Sequence, residues 1–343
     1  MLYAHLKSRV RVLTGGVLAA AIFSSSVWAA VPEVPSGNIT LGGTSSSSSF
    51  YAFHAAVSKV LSEHTEGNVR MQVMETGASV DNLNLMRQGR ADIGHITSFA
   101  LTQSYRGAGP WENHGPDRDI RQVIAFSLSP QAMVVRADSG VESLDDLDGK
   151  PFAAGLQGSA TAIEVRAAMK AIGVQPEYKS VSLEDALSQV QDGRIIGFAK
   201  SSASPSTPDA SLMRLMTSVD VNILSFSDQQ LETIKQEVPL LLPFTIPANT
   251  YQGQSEPIKV IGHTSGYGAP SSLDPDVVYH LWEAMTKRQE ALADVNEKWK
   301  NADFVKMTLE DAPPVPLHLG TYRWMRDNGV DVPERLIPPE AKQ

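Results

Sequence analysis

The chain has 343 residues, 42% of them hydrophobic and 20% charged, with 29 Lys and Arg against 38 Asp and Glu, a formal net charge of −9 and no Cys. An acidic chain without a basic cluster is a poor ligand for phosphate backbones, whose non-specific partners release counterions with Lys and Arg, so nucleic-acid binding is set aside. Disulfides are excluded, and a chain this long must hold its core by burial alone.

The first 12 residues carry Lys7, Arg9 and Arg11 and no acid, residues 13–23 are an apolar run, and Val27-Trp28-Ala29 offers small residues at the −3 and −1 positions of a cleavage site. This pattern predicts a secretory signal peptide over residues 1–29, cut near Ala29. The apolar run falls short of the roughly 20 residues that a spanning helix needs. With no Cys for a lipid anchor, a periplasmic protein without direct membrane insertion after cleavage is expected. Cleavage moves the formal charge from −9 to −12, since it removes three cations and no acid. The remaining length suggests two lobes of about 150 residues.

Ile39-Thr40-Leu41 reads as a strand, Gly42-Gly43-Thr44 and five serines as a polar loop, and Phe50, Phe53, Val57, Val60 and Leu61 as the apolar stripe of a helix. Further strands are predicted over 69–74 and 91–96, with a helix over 80–88 between them that stops at Gly89. Short strands follow over 123–126 and 132–135. Strands alternating with helices argue for an α/β layer with parallel pairing.

After residues 143–150 the pattern restarts with a strand over 151–154, the loop Gly155-Leu156-Gln157-Gly158-Ser159, and a helix over 160–172 ended by Gly173. Strands over 178–181, 195–199 and 222–226 alternate with helices near 183–190 and 212–216. The Ser/Pro-rich stretch 201–208 reads as a loop at a strand end. The expected organisation is lobe II over 141–247 and a discontinuous lobe I over 30–140 and 248–343, with a long helical region over 275–299.

Two loops of the same kind, one per lobe, would place backbone N–H groups and hydroxyls at helix N-termini, where about half a positive charge awaits an anion. Serines before a helix ordinarily serve as caps. Five serines after two glycines exceed that need, and the second instance at Gly158-Ser159 favours anion binding. A third polar loop is Glu75-Thr76-Gly77-Ala78-Ser79, with Asn82 one turn on.

The run from Asn82 through Arg87-Gln88-Gly89-Arg90-Ala91-Asp92-Ile93-Gly94 resembles the TAXI family, the substrate-binding subunits of TRAP transporters. So, in order, do residues 143–150, Gly158-Ser159-Ala160-Thr161, Ile246-Pro247-Ala248-Asn249-Thr250-Tyr251 and Pro316-Leu317-His318-Leu319-Gly320-Thr321-Tyr322-Arg323. The resemblance spans about residues 38 to 330. It implies a two-lobed, type II-like periplasmic-binding fold with a hinge. It also implies capture of a small organic anion, a glutamate-like amino acid or a dicarboxylate or keto acid, and delivery to the integral membrane subunits.

Carried over by motif, the ligand contacts would be Thr44, Ser46, Ser49 and Tyr51 in the first loop, Ser79 and Asn82 in the second, and Ser98 at the third strand's end. In the second lobe they would be Gly158, Ser159 and Thr161. Ser47-Ser48 stands where the family has glycines, Phe50 where it has its first tyrosine, Phe99 where it often has Asp, and Ile196-Gly197 where it often has an Asp-Ala pair. Ligand identity therefore does not transfer.

Lys200, at a strand end, offers either a ligand contact or a solvated lysine, and Arg136 shares the ambiguity. Tyr51, Trp111 and Tyr267 are pocket-wall candidates against the ordinary reading of aromatics as core. No Gly-x-Ser-x-Gly elbow is present, because Gly262-His263-Thr264-Ser265-Gly266 has its serine one place late. No His-x-x-x-His or His-Glu-x-x-His pair occurs, so a zinc site would need ligands distant in sequence. His318 reads as a structural hydrogen-bonding residue, and Glu184-Asp185 and Asp145-Asp146 as acids at helix starts. No catalytic role, cofactor or metal is expected. The alternatives are an exported sensor of the same fold and, further off, an enzyme built on it.

Overall fold

The computed structural model describes residues 33–310 and 313–342. The predicted signal peptide lies outside the described residues. The first half of the fold is built from β1 (Gly37–Gly42), α1 (Ser49–His64), β2 (Val69–Met74), α2 (Ser79–Arg87), β3 (Ile93–Thr97) and α3 (Ser98–Arg106). The chain then crosses on β4 (Ile120–Arg136). The second half comprises β5 (Pro151–Ala153), α4 (Ala160–Ala171), β6 (Glu177–Tyr178), α5 (Leu183–Gln191), β7 (Gly197–Ser201), α6 (Ala210–Met216), β8 (Val221–Leu224), α7 (Asp228–Glu237) and β9 (Leu242–Ile246). Return is on β10 (Ile258–Pro270), followed by α8 (Pro275–Lys287), α9 (Gln289–Ala293), α10 (Phe304–Leu309) and α11 (Leu319–Asp327).

The ten strands form one sheet in the order β2-β1-β3-β10-β4-β7-β5-β6, with β8 on β4 and β9 on β10. Parallel pairing, expected from the alternation of strands and helices, holds within each half, where β1 pairs with β2 and β3, and β5 with β6 and β7. The two crossing strands are antiparallel to each other and to their neighbours.

β4 was expected as two short strands, because Ser127-Leu128-Ser129-Pro130-Gln131 breaks the apolar pattern. It is continuous because that polar insert is satisfied inside. The Ser127 hydroxyl donates to the Ala203 carbonyl at 2.7 Å, and that of Ser129 to Ser265 of β10 at 3.1 Å. Register shifts in the β4–β10 pair near Ser265 and Tyr267 bend the crossing strands.

The apolar stripe read for α1 is the buried face, with Phe53, Val57 and Leu61 fully enclosed. It packs with α8 and α9 in a cluster where Phe53 stacks on Trp299 at 3.9 Å and Trp282 on Trp324 at 4.7 Å. The C-terminal helices thus return to the first half. The long helical region expected over 275–299 consists of α8, α9 and a 3-10 turn at Glu297–Asn301. Separate apolar clusters lie on the two faces of the second half's sheet. Among the described residues, no helix is long and apolar enough to cross a membrane.

Candidate functional site

Between the halves lies a cavity of about 540 Å³. Four helix starts border it. Ser45 and Ser48 precede α1, Ala78 and Ser79 open α2, Ser159, Ala160 and Thr161 open α4, and Ser182, Leu183 and Glu184 open α5. Capping fixes each end. Ser48, Ser159 and Ser182 each accept a first-turn N–H through the side chain, and Ser159 also donates to the Leu156 carbonyl at 2.7 Å.

α2 has no side-chain cap. The Gly158 carbonyl of the second half accepts instead from Val80 N–H at 2.9 Å and Asp81 N–H at 3.2 Å. The halves touch there with no room to spare, since a Cβ on Gly77 would lie 2.4 Å from the Gln157 carbonyl oxygen. The two walls of the cavity therefore meet at this edge.

The lining carries ten hydroxyls: Thr44, Ser45, Ser48, Thr76, Ser79, Thr97, Ser159, Thr161, Ser182 and Ser201. Its charges are Glu75, Asp81, Glu184 and Lys200. Hydrogen bonds from the Ser46 backbone and side chain hold the Glu75 carboxyl below its ordinary range, and the Arg214 guanidinium does the same for Glu184. Lys200 is buried, and its ammonium is committed to Asp209 at 3.2 Å and to the Ser201 carbonyl at 2.6 Å. Acidic groups therefore enter the lining from both halves, Glu75 and Asp81 from the first and Glu184 from the second, while its positive potential comes from helix dipoles.

His95 closes the floor. Burial depresses its pKa well below the usual value and pushes that of His54 down to about 3, so both rings are neutral. Tyr267 Oη lies 2.8 Å from His54 Nδ1, and His54 Nε2 lies 3.0 Å from His95 Nδ1. Among the described residues, the buried Tyr267 hydroxyl is paired with His54. If the phenol donates, His54 donates onward and His95 keeps its proton on Nε2, the nitrogen left for a ligand.

Beside it, the fully buried Glu164 of α4 accepts from Thr97 Oγ1 at 2.7 Å and from Gln131, and lies 2.6 Å from His263 Nδ1. One carboxylate thus ties the second half to the end of β3 in the first and to both crossing strands.

Of the residues expected at the site, Thr44, Ser79, Ser159, Thr161 and Lys200 line the cavity together. Ser46, Ser49, Tyr51, Asn82, Ser98 and Gly158 are not in the lining. Ser46 holds Glu75 from behind, and Ser49 begins α1. Tyr51 reaches the Val73 carbonyl at 3.4 Å. The Asn82 amide is spent on the Gly43 and His95 carbonyls, at 2.8 and 2.9 Å, and pins the strand ends. Ser98 borders a small crevice on another side, and Gly158 contributes through its carbonyl.

The ordinary readings hold for Trp111 and Tyr267, both core. They hold also for Arg136, which is paired with Asp138 and bound to the Val190 and Gln191 carbonyls. His318 caps α11 by accepting from Gly320 N–H. Glu184 opens α5 as expected, yet it also lines the cavity. Sequence reasoning missed Glu75, Asp81, His95 and Glu164. The polar Glu164 within an apolar helix stripe was the one signal available.

Ala78 sits at φ 83°, ψ −143°, a region that only glycine enters cheaply. Ala78→Gly is expected to raise stability by about 1 kcal/mol, the relieved strain exceeding glycine's added unfolded-state entropy. An unchanged urea midpoint would show that the loop relaxes this geometry at no cost.

Residues 41–329 match the NMT1-like family. Among solved structures, an ancestral arginine-binding protein bound to arginine superposes with a TM-score of 0.50 at 16% identity, covering 77% of this chain and 98% of its own. The alkanesulfonate-binding protein SsuA from Xanthomonas axonopodis pv. citri bound to MOPS gives 0.48 at 13%, covering 90% and 98%. The substrate-binding protein of an amino acid ABC transporter gives 0.45 at 15%, covering 77% and 99%. The architecture is the two-lobed α/β fold of periplasmic solute-binding proteins.

Proposed function

The chain belongs to the NMT1-like family, and on that premise we propose that it is an exported solute-binding protein that closes its two lobes around a small zwitterionic carboxylate. One observation carries this reading: four helix starts and ten hydroxyls converge on a cavity between the halves whose only lining lysine is already neutralised by Asp209. A carboxylate is favoured at the α4 and α5 starts, where first-turn N–H groups have no intrahelical partner. The carboxylates of Glu75 and Asp81, unlike that of Glu184, have no cation paired with them among the described residues and favour an ammonium on the same ligand, so an amino acid fits better than a dicarboxylate or keto acid.

The lobes would be residues 30–140 with 248–343, and 141–247. β4 and β10 are the two crossings on which closure turns. The ordered motifs support the finer reading of a TAXI-type subunit in the periplasm, delivering its ligand to TRAP membrane subunits.

Thermal unfolding of ligand-stripped protein against amino acids, keto acids, dicarboxylates and sulfonates tests the reading. Binding at 100 times the dissociation constant contributes about 2.7 kcal/mol, or roughly 4 °C for a chain of this size. A selective shift by an amino acid is expected. Ser159→Ala and Ser79→Ala should each weaken that binding by about 1 kcal/mol in calorimetry, the ordinary worth of one hydrogen bond. Unchanged affinity in both variants, or a shift by dicarboxylates alone, would sink the assignment.

A further inference from the structure

At the far end of α1 from the cavity, about 24 Å along a 16-residue helix, His64 meets His280 and Glu283 of α8. His64 Nε2 lies 3.1 Å from Glu283 Oε2, His280 Nδ1 lies 3.3 Å from the same oxygen, and the two ring nitrogens are 3.4 Å apart. Among the described residues, this is the group in which three His or carboxylate donor atoms converge within 4.8 Å.

From this geometry we propose that His64, His280 and Glu283 form a transition-metal site for Zn²⁺. Tetrahedral zinc with bonds of about 2.0–2.1 Å holds its ligand atoms about 3.3–3.4 Å apart, and the three separations lie within a few tenths of an ångström of that triangle. Two ring nitrogens and one carboxylate oxygen converge on one point, and all three are donor atoms that zinc accepts. A divalent ion satisfies all three at once.

The surroundings suit a cation. His64 ends α1, where the helix dipole is negative. The Lys287 ammonium hydrogen-bonds the other Glu283 oxygen, and so orients the carboxylate as an outer-shell partner does. With side-chain exposures of 16% for His64, 3% for His280 and 12% for Glu283, the site is shielded yet open to one water as fourth ligand. His280 and Glu283 are three residues apart on α8, but His64 lies 216 residues from His280, so the sequence does not announce the complete set. The ion would clamp α1 to α8 and leave the solute cavity untouched.

The test is calorimetry of the exported chain, stripped with EDTA and titrated with ZnCl₂ alone, alongside Co²⁺ absorption spectra. One equivalent of Zn²⁺ should bind, Co²⁺ should give the intense visible bands of a tetrahedral centre, and Zn²⁺ should raise the melting temperature. His64→Gln and Glu283→Gln should each weaken Zn²⁺ binding beyond the roughly 10–100-fold that loss of an outer-shell partner costs. His64 lies near the surface, so its variant keeps the fold, checked by circular dichroism. Absence of stoichiometric binding at micromolar Zn²⁺, or binding that both variants leave intact, would overturn the site. Either result is independent of the cavity's ligand.

Discussion

Gly77→Ala is expected to weaken ligand binding about 30- to 100-fold while leaving the melting temperature of the ligand-free protein nearly unchanged. The added methyl would stand 2.4 Å from the Gln157 carbonyl oxygen and from Asp81 Oδ2, and 3.0 Å from Gly158 Cα. Gln157 and Gly158 are backbone of the opposite half and cannot step aside without opening the cavity. Opening removes the bonds from Val80 and Asp81 N–H to the Gly158 carbonyl. At about 1 ± 0.5 kcal/mol each, with some loss of enclosure, the sum is roughly 2–3 kcal/mol, which sets the stated range. In an open conformation the methyl meets only the Asp81 carboxylate, the end of a side chain that can turn away, and Gly77 has no positive φ to lose, so unliganded stability should fall little.

Gly158→Ala should act in the same direction and also lower stability, because Gly158 sits at φ +77° and its Cβ would press on the Asp81 carboxylate. Calorimetric affinity and the radius of gyration by X-ray scattering, measured with and without ligand, check both variants. A Gly77→Ala protein that binds and compacts like the parent would show that the contact plays no part in closure.

Asp209→Ala should destabilise the fold by about 3–5 kcal/mol, the cost typical of stripping one partner from a buried ion pair, and lower the melting temperature by roughly 4–8 °C. Lys200 would keep a buried charge with no counter-ion within reach. The α6 start would lose the acceptor for Ser211 N–H, Leu212 N–H and the Ser211 hydroxyl.

Burial alone would raise the Asp209 pKa, but Lys200 and the hydrogen bonds from Ser211, Lys200 and Leu212 outweigh it and hold the carboxyl below its ordinary value. Its contribution is therefore fully present above the unfolded carboxyl's pKa and lost as pH falls through the folded one. The variant should show no loss from this pair in that acid window. Tyr251, whose phenol burial pushes up to about 12, accepts from Asp209 N–H at 3.2 Å and holds the loop in register. Chemical denaturation at neutral and acidic pH measures both effects. A loss under 1 kcal/mol would mean that solvent reaches Lys200 when Asp209 is removed.

Local pattern carried the reading of α1, α2, β2 and β5. Apolar spacing is set by the 3.6-residue turn or the two-residue pleat, and Gly89 and Gly173 end their helices as written. The polar loops announced helix starts, and with them Ser159 of the cavity, while Ser79 and Thr161 came from the family resemblance. Neighbouring residues decide these features, so the sequence by itself determined them, along with the acidic charge and the absence of disulfides.

Tertiary structure alone decided the rest. Whether Ser127–Gln131 breaks a strand depended on Ala203 and Ser265, far along the chain, to satisfy its hydroxyls. Lys200 could be a ligand contact until Asp209 was seen to take its charge. Asn82 looked like a contact and proved a brace, because the carbonyls that claim it belong to Gly43 and His95. Glu164, the His54–His95 pair and the His64–His280–Glu283 triangle are each built from segments that only folding brings together. The partner that fixes a buried polar group's role is a matter of distance in space, which neither periodicity nor composition encodes.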